Sequence, residues 1–261
     1  MRDSTEVANV TGSERGGSWH TLILGHDSSS NALGRALSMA LVAEQIGPVN
    51  VLAASRGKIW RGAAQFDLPV ELIEPRSMQN VMKIAASAAA ASDHVLVWVC
   101  KGIDPLPRIV RAILRVAPQA IVVLDLDDDD AGLAEGFRNG SLTNALKLNV
   151  LRAMHPMRIR AAQRILSSIA TGTTTATDAV AAELRVKGPR LRVPHTRVEQ
   201  LVVPTPAPIS AKIRVGAFGT IRPHKGGTLL MNLIHDYPDL ELITFRDCGL
   251  GRPGLEQTNW I

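Results

Sequence analysis

Short apolar runs alternate along this chain with longer stretches in which apolar residues recur every three or four positions. That alternation predicts a parallel sheet wrapped by helices on both faces. Residues 21–25 read as a strand. Residues 31–46 follow as a helix, with Leu33, Leu37, Ala40, Leu41 and Glu44 at helical spacing, a cap at Ser30 or Asn31, and Gly47-Pro48 as its stop. Residues 49–53 and 70–73 are the next strands, and residues 78–91 an alanine-rich helix capped by Ser77. Residues 94–100 form an apolar strand, residues 105–116 a helix with Ile109, Ala112, Ile113 and Val116 on one face, and residues 120–126 another buried strand. After a looser stretch, residues 157–169 place Ala162, Ile165, Leu166 and Ile169 inward and Arg158, Arg160 and Arg164 largely outward. Short strands at 173–176 and 191–193 flank a helix beginning at Thr177.

Pro204, Pro206 and Pro208 stiffen an extended connector and mark a domain boundary. Beyond it the pattern restarts, with a strand at 213–218, a loop at 219–226, a helix at 227–235 and a strand at 240–245. The expected class is therefore α/β. A mobile tail (1–18) and a Rossmann-like domain (19–202) precede the linker (203–210), and residues 211–261 give the opening β-α-β of a second Rossmann-like domain, incomplete at this length.

Composition narrows the function classes. The 261 residues are 46% hydrophobic and 20% charged, enough for a real core. Cys100 and Cys248 are too far apart for a metal clip or a disulfide framework, which reads as a reducing, cytoplasmic setting. The apolar run 84–100 is broken by Ser92, Asp93 and His94, so no transmembrane helix is expected, and residues 1–18 lack the apolar core of a signal peptide. Lys and Arg total 29 against 24 acids, a net charge of +5 that suits phosphorylated substrates or an anionic membrane surface. Aromatics are only 3%, which argues against base stacking, and no nucleic-acid partner is expected.

The most informative segment runs from Gly216 to Gly227. A strand ends in glycine, the loop carries Arg222 and Lys225, and a glycine pair opens a helix whose amides face that loop. Cations beside a helix N-terminus suit a diphosphate, although a solvated basic loop has the same composition. The spacing is not that of a Walker loop. Asp125 and Asp127 to Asp130 place five carboxylates at the end of a buried strand, where they shift one another's pKa, hold a cation or fan into water. Strand carboxyl ends face the crevice of such folds, which makes Asp127 and Asp128 the catalytic candidates. Gly25, His26, Asp27 and Ser28 form the first cleft-facing loop, as acceptor contacts or as a polar turn. The histidines lack zinc spacing, so no metal site is expected. Gly249, Gly251 and Gly254 match G-x-G-x-x-G, yet Pro253 opposes the helix a dinucleotide site needs. Lys147, Arg152, Arg158, Arg160 and Arg164 border an apolar stripe that suits either anionic lipid or packing on the sheet.

The segment Gly219-Thr220-Ile221-Arg222-Pro223-His224-Lys225-Gly226 resembles the loop that opens the C-terminal domain of family 4 (group 1) glycosyltransferases of the GT-B fold. The glycine-bearing first turn, and the V-P strand at Val193-Pro194, are similar to the same family. The resemblance implies donor-diphosphate contacts at Gly219, Arg222, Lys225 and Gly226. It further implies retaining hexosyl transfer from a nucleoside-diphosphate sugar to a glycan or lipid-linked hydroxyl in polysaccharide biosynthesis, with no separate cofactor. Peripheral contact with the inner face of a membrane fits that setting. The alternative is a catalytically deficient, truncated nucleotide-binding fragment.

Overall fold

The computed structural model describes residues 17–74, 77–139, 155–183, 188–194, 212–217, 227–244 and 258–260. The chain divides into two compact units, Met1–Leu201 and Val202–Ile261. The first unit holds seven parallel strands: β1 (Trp19–Gly25), β2 (Val49–Ala54), β3 (Val70–Ile73), β4 (His94–Cys100), β5 (Ile121–Leu126), β6 (Gly172–Thr175) and β7 (Arg190–Arg192). Their order is β3-β2-β1-β4-β5-β6-β7, so the sheet grows in one direction from β1 and in the other from β4. The helices between them are α1 (Ala32–Ala43), α2 (Gln79–Ala91), α3 (Leu106–Val116), α4 (Asp130–Asn139), α5 (Pro156–Ile169) and α6 (Asp178–Glu183).

Strand alternation divides the core between the sheet's two faces. Val95, Val97 and Val99 of β4 pack on one face with α2, α3 and Leu166 of α5. Leu96, Trp98 and Cys100 pack on the other with α1, Ala63 and Phe66. A central strand buried on both sides has no polar face to present, which is why residues 94–100 read as an unbroken apolar run. In α3, Leu106, Ile109, Val110 and Ile113 are fully buried while Arg108, Arg111 and Arg115 are exposed, so the helix can rest on the sheet in one rotation only.

Three local expectations change. The stretch read as loose contains α4, whose glycines at 132 and 136 weaken its helical signal. It is held through Ala131 and Ala134 against Ile103 and Ile159. The buried face of α5 is Ile159, Ala162, Gln163 and Leu166, with Ile165 and Ile169 only half-buried. Helix α2 starts after Met78, and no side chain caps it, Ser77 included.

The second unit contains β8 (Ile213–Ala217), α7 (Gly227–Asp236), β9 (Leu240–Thr244) and β10 (Thr258–Trp260), in a parallel sheet of order β10-β9-β8. Arg214 and Glu241, partners in the register of β8 and β9, form an ion pair at 2.9 Å. The proline connector at 203–210 lies outside the described residues. No helix among the described residues is long and apolar enough to cross a membrane.

The two sides of α3 make a direct test. Ile109→Ala should lower the unfolding free energy by about 2–5 kcal/mol, the range for truncating a fully buried Ile. Arg108→Ala on the exposed side should stay within about 0.5 kcal/mol of the parent, both read from urea denaturation.

Candidate active site

The direction of sheet growth reverses between β1 and β4, and sheets of this kind place their ligand crevice at the carboxyl edge of such a reversal because successive crossovers leave toward opposite sides. Register places Gly25 opposite Cys100 and Cys100 opposite Asp125. His26, Lys101 and the acidic run therefore leave the sheet on neighbouring strands. Lys101 has a φ of 72°, a left-handed conformation uncommon for a residue with a side chain, and its N–H donates to the Asp125 carbonyl at 3.0 Å.

Lys101 turns the acidic run inward. Its Nζ lies 2.9 Å from Asp130, 3.1 Å from Asp127 and 3.3 Å from Asp128. The contacts with Asp130 and Asp128 have hydrogen-bond geometry, whereas Asp127 Oδ1 is within ion-pair distance without that alignment. Burial by itself favours loss of the Lys101 proton, but Asp130 and Asp127 more than reverse this and raise its pKa. Asp130 behaves differently. Burial raises its pKa to about 6 against the pull of Lys101, with Asp127 and Asp128 adding to the rise. No group of three or more His, Cys, Asp or Glu residues among the described ones is arranged to hold a metal ion. The ammonium stands where a cation bound by the acidic run would have stood.

His26 is 6% exposed, and its Nδ1 is buried with no hydrogen-bond partner. Burial, then the charges of Lys101 and Arg56, lower its pKa to about 3, so the ring is neutral at ordinary pH. Asp27 accepts from the Ser29 N–H at 2.8 Å and the Ser29 hydroxyl at 2.7 Å; burial opposes its charge, but these bonds bring its pKa below the usual value. Ser28 is fully buried and binds the first loop to the loop after β2. Its N–H donates to the Ala54 carbonyl, its carbonyl accepts from Trp60 N–H, and its hydroxyl accepts from Arg56 N–H. Arg56 in turn donates to the Asp104 carbonyl at 2.9 Å, crossing to the loop after β4.

Below the crevice lies a buried ion pair. Arg35 of α1 donates through Nε and Nη2 to both oxygens of Asp125, each at 2.8 Å, in a bidentate fork. It also donates to the carbonyls of Val193 and Pro194, at 2.9 and 3.1 Å. The Thr174 hydroxyl donates to Asp125 at 2.6 Å and accepts from Trp98 Nε1 at 3.2 Å. Burial opposes the charge on Arg35, but the bonds to Asp125 and its charge raise the guanidinium pKa above its ordinary value.

The sequence candidates Gly25, His26, Asp27, Ser28, Asp127 and Asp128 thus all lie at the carboxyl edge of the first sheet. Ser28 and His26 are buried rather than open to the crevice, and Asp128 is the acid of the cluster whose side chain is 55% exposed. Gly219, Arg222, Lys225 and Gly226 lie outside the described residues. Sequence reasoning did not single out Lys101, Arg35, Arg56 or Asp130. The available signals were an arginine on a helix that is apolar nearly all round, and a lysine directly after a wholly apolar strand.

Among solved structures the chain resembles an α-glucosyltransferase in complex with UDP and a 13-mer DNA containing a central A:G mismatch. The TM-score is 0.51 at 9% identity, over 88% of this chain and 56% of that one. The fold is GT-B-like. Weaker likenesses are to a UDP-N-acetylglucosamine 2-epimerase (TM-score 0.47, 12% identity, 94% of this chain and 68% of that one) and to the glycosyltransferase SnogD from Streptomyces nogalater (TM-score 0.43, 16% identity, 94% and 73%). No protein-family model and no curated protein matches the chain. In a GT-B-like fold the first sheet supplies one complete Rossmann-like unit, and the cluster described above sits at its strand-order reversal.

Two predictions follow from this geometry. Arg35→Met should destabilise the protein by about 3–5 kcal/mol, because Asp125 is left buried without its counter-charge. Arg35→Met combined with Asp125→Leu should recover part of that loss in chemical denaturation. His26 has a folded pKa of about 3, below the ordinary 6.5, so its neutral form contributes stability that is fully present above pH 6.5 and lost as pH falls toward 3. His26→Gln should therefore gain on the parent as pH drops from 6.5 toward 4, with a slope approaching about 1.4 kcal/mol per pH unit in urea unfolding.

Proposed function

We propose that this chain is a glycosyltransferase that moves a hexose from a nucleoside-diphosphate sugar to a hydroxyl acceptor on a glycan or lipid-linked glycan, with retention at the anomeric carbon. The observation that carries the reading is the gathering of His26, Lys101, Asp127, Asp128 and Asp130 at the strand-order reversal of a GT-B-like sheet. A fold of this kind tolerates buried charge poorly, and the carboxyl edge is where a ligand makes such an arrangement useful.

In this reading the first unit receives the acceptor. Asp128 is the acid of the cluster most open to solvent. Asp130, with a pKa near 6, sits in the range where a carboxyl can take up or release a proton during turnover. Lys101 holds the acids in place and keeps the local charge low enough for a sugar hydroxyl to approach. The donor's diphosphate falls to the second unit, where Arg222 and Lys225 neutralise the leaving group and the amides of the helix opening at Gly227 add their dipole. No separate cofactor enters this scheme. The exposed Arg158 and Arg164 of α5 are available to an anionic membrane surface, which suits a cytoplasmic enzyme acting on a lipid-linked acceptor.

Isothermal titration with UDP and GDP tests donor binding. Release of free nucleotide from labelled donor sugars tests turnover. Arg222→Ala and Lys225→Ala should each weaken nucleotide binding about tenfold or more, the scale of one charge-assisted hydrogen bond. Unchanged affinity in the double variant would remove the basis for the transferase reading, whereas binding without turnover would favour a nucleotide-binding module.

A further inference from the structure

The loop after β2 carries charge that the fold does not use. Within seven residues it presents Arg56, Lys58 and Arg61, all exposed. None of the three has a carboxylate within ion-pairing distance among the described residues, although Lys101 nearby is surrounded by acids. Arg56 spends one Nη2 donor on the Asp104 carbonyl, which leaves the rest of its fork open.

This loop is held rather than trailing. Ser28 fastens it at Arg56 N–H and Trp60 N–H. The Trp60 ring is wedged between two glycines. A Cβ at Gly62 would come within 2.2 Å of the ring and one at Gly34, in the first turns of α1, within 3.2 Å. Gly34 therefore lets the indole rest on α1, and Gly62 lets the chain pass over it. The backbone that carries these cations is therefore already ordered when an anion arrives, which lowers the cost of binding.

Beside the loop lies His26, nearly fully buried, neutral, with Nδ1 unpartnered; its charged neighbours are Lys101 and Arg56, with the smaller opposing charge of Asp27. The N-terminus of α1 opens beside it. Its first turn contains no acid, and its leading amides are met locally, by the Ser30 hydroxyl at Ala32 N–H and by the Ser30 and Asn31 carbonyls at Leu33 and Gly34 N–H. Loop cations and a buried imidazole with an unpartnered nitrogen favour negative charge at one place.

We propose that the loop after β2 is an anion site, formed by the exposed Arg56, Lys58 and Arg61 over the buried His26, and that it selects an acceptor bearing a phosphate or carboxylate. The proposal rests on the transferase reading for the word acceptor, but the anion site itself does not. It separates two roles within one crevice: the loop after β2 recognises the charged group, while the acids around Lys101 stand toward the reacting hydroxyl.

Inorganic sulfate is the probe, because its charge is constant across the working pH range. Titration of the full chain, followed by amide NMR, should shift residues 26–30 and 55–61. Arg56→Gln/Lys58→Gln/Arg61→Gln should weaken sulfate binding at least tenfold. Lys58→Gln/Arg61→Gln, which removes no side-chain bond seen among the described residues, should give part of that loss and guards against misfolding of the triple variant. Absence of sulfate binding, equal affinity in both variants, or shifts confined to other residues would overturn the site. UDP titration on the same samples keeps the two readings apart: sulfate binding with no UDP binding sinks the transferase and leaves the anion site standing. With turnover in hand, phosphorylated or carboxylated glycosides should exceed their neutral counterparts in kcat/KM by at least tenfold, and the triple variant should erase that preference. A neutral acceptor used equally well would overturn the acceptor assignment.

Discussion

The Arg35–Asp125 pair constrains the first unit more than any other interaction. Its two members lie 90 residues apart in sequence, one on α1 and one on β5, and their side chains are almost wholly shielded from water. Desolvating two ions costs several kcal/mol each, and a single contact does not offset that cost. Here the geometry does. Four donor bonds leave Arg35, and Asp125 also receives the Thr174 hydroxyl, itself held by Trp98. The network joins α1, β4, β5, β6 and the chain after β7, so these elements have one relative arrangement in which every charge is satisfied. An apolar substitute of equal volume would bind the same layers together without dictating register so strictly.

That specificity reaches the crevice. Asp125 lies one residue before the end of β5, and its carbonyl receives the Lys101 amide. The backbone of Lys101 is thereby fixed in its left-handed conformation, and the side chain is delivered to Asp127, Asp128 and Asp130. The same ammonium helps keep His26 neutral. One ion pair below the edge and one cation at the edge thus divide the carboxylates into two sets, a structural one at Asp125 and a cluster closed around Lys101 from which Asp128 reaches solvent.

Most of the sheet was legible because its strands are short, apolar and separated by helices of clear period. β4 alternates Val95, Val97 and Val99 with Leu96, Trp98 and Cys100, and both sets are buried, which only a central parallel strand requires. Helix α3 was equally clear, since arginines interrupt its isoleucines at helical spacing. Helix α4 was not, because it touches its neighbours through alanines and carries two glycines. The site divides along the same line. His26 and the aspartates were visible because loops after strands advertise themselves with polar residues. Arg35 was hidden among the apolar residues of α1, where Arg35 to Ala40 form an unbroken buried stretch. A lone charge within such a stretch implies a buried partner, but periodicity alone does not name it. Lys101 was hidden for a different reason: its partners follow it in sequence by more than 25 residues and meet it only through strand pairing.

Uneven placement of charge is the strongest internal argument that the first unit acts on a ligand. Holding the fold together needs Arg35 and Asp125. It does not need three cations without carboxylate partners among the described residues on the loop after β2, nor a histidine whose Nδ1 is buried without a partner, and the latter carries a free-energy cost in the absence of a ligand. Acids and cations are also kept apart: the former close around Lys101, while Arg56, Lys58 and Arg61 remain without carboxylate partners among the described residues. Segregation at one edge of one sheet maintains a local field, and a field of that kind stabilises an incoming anion more than it stabilises the protein alone.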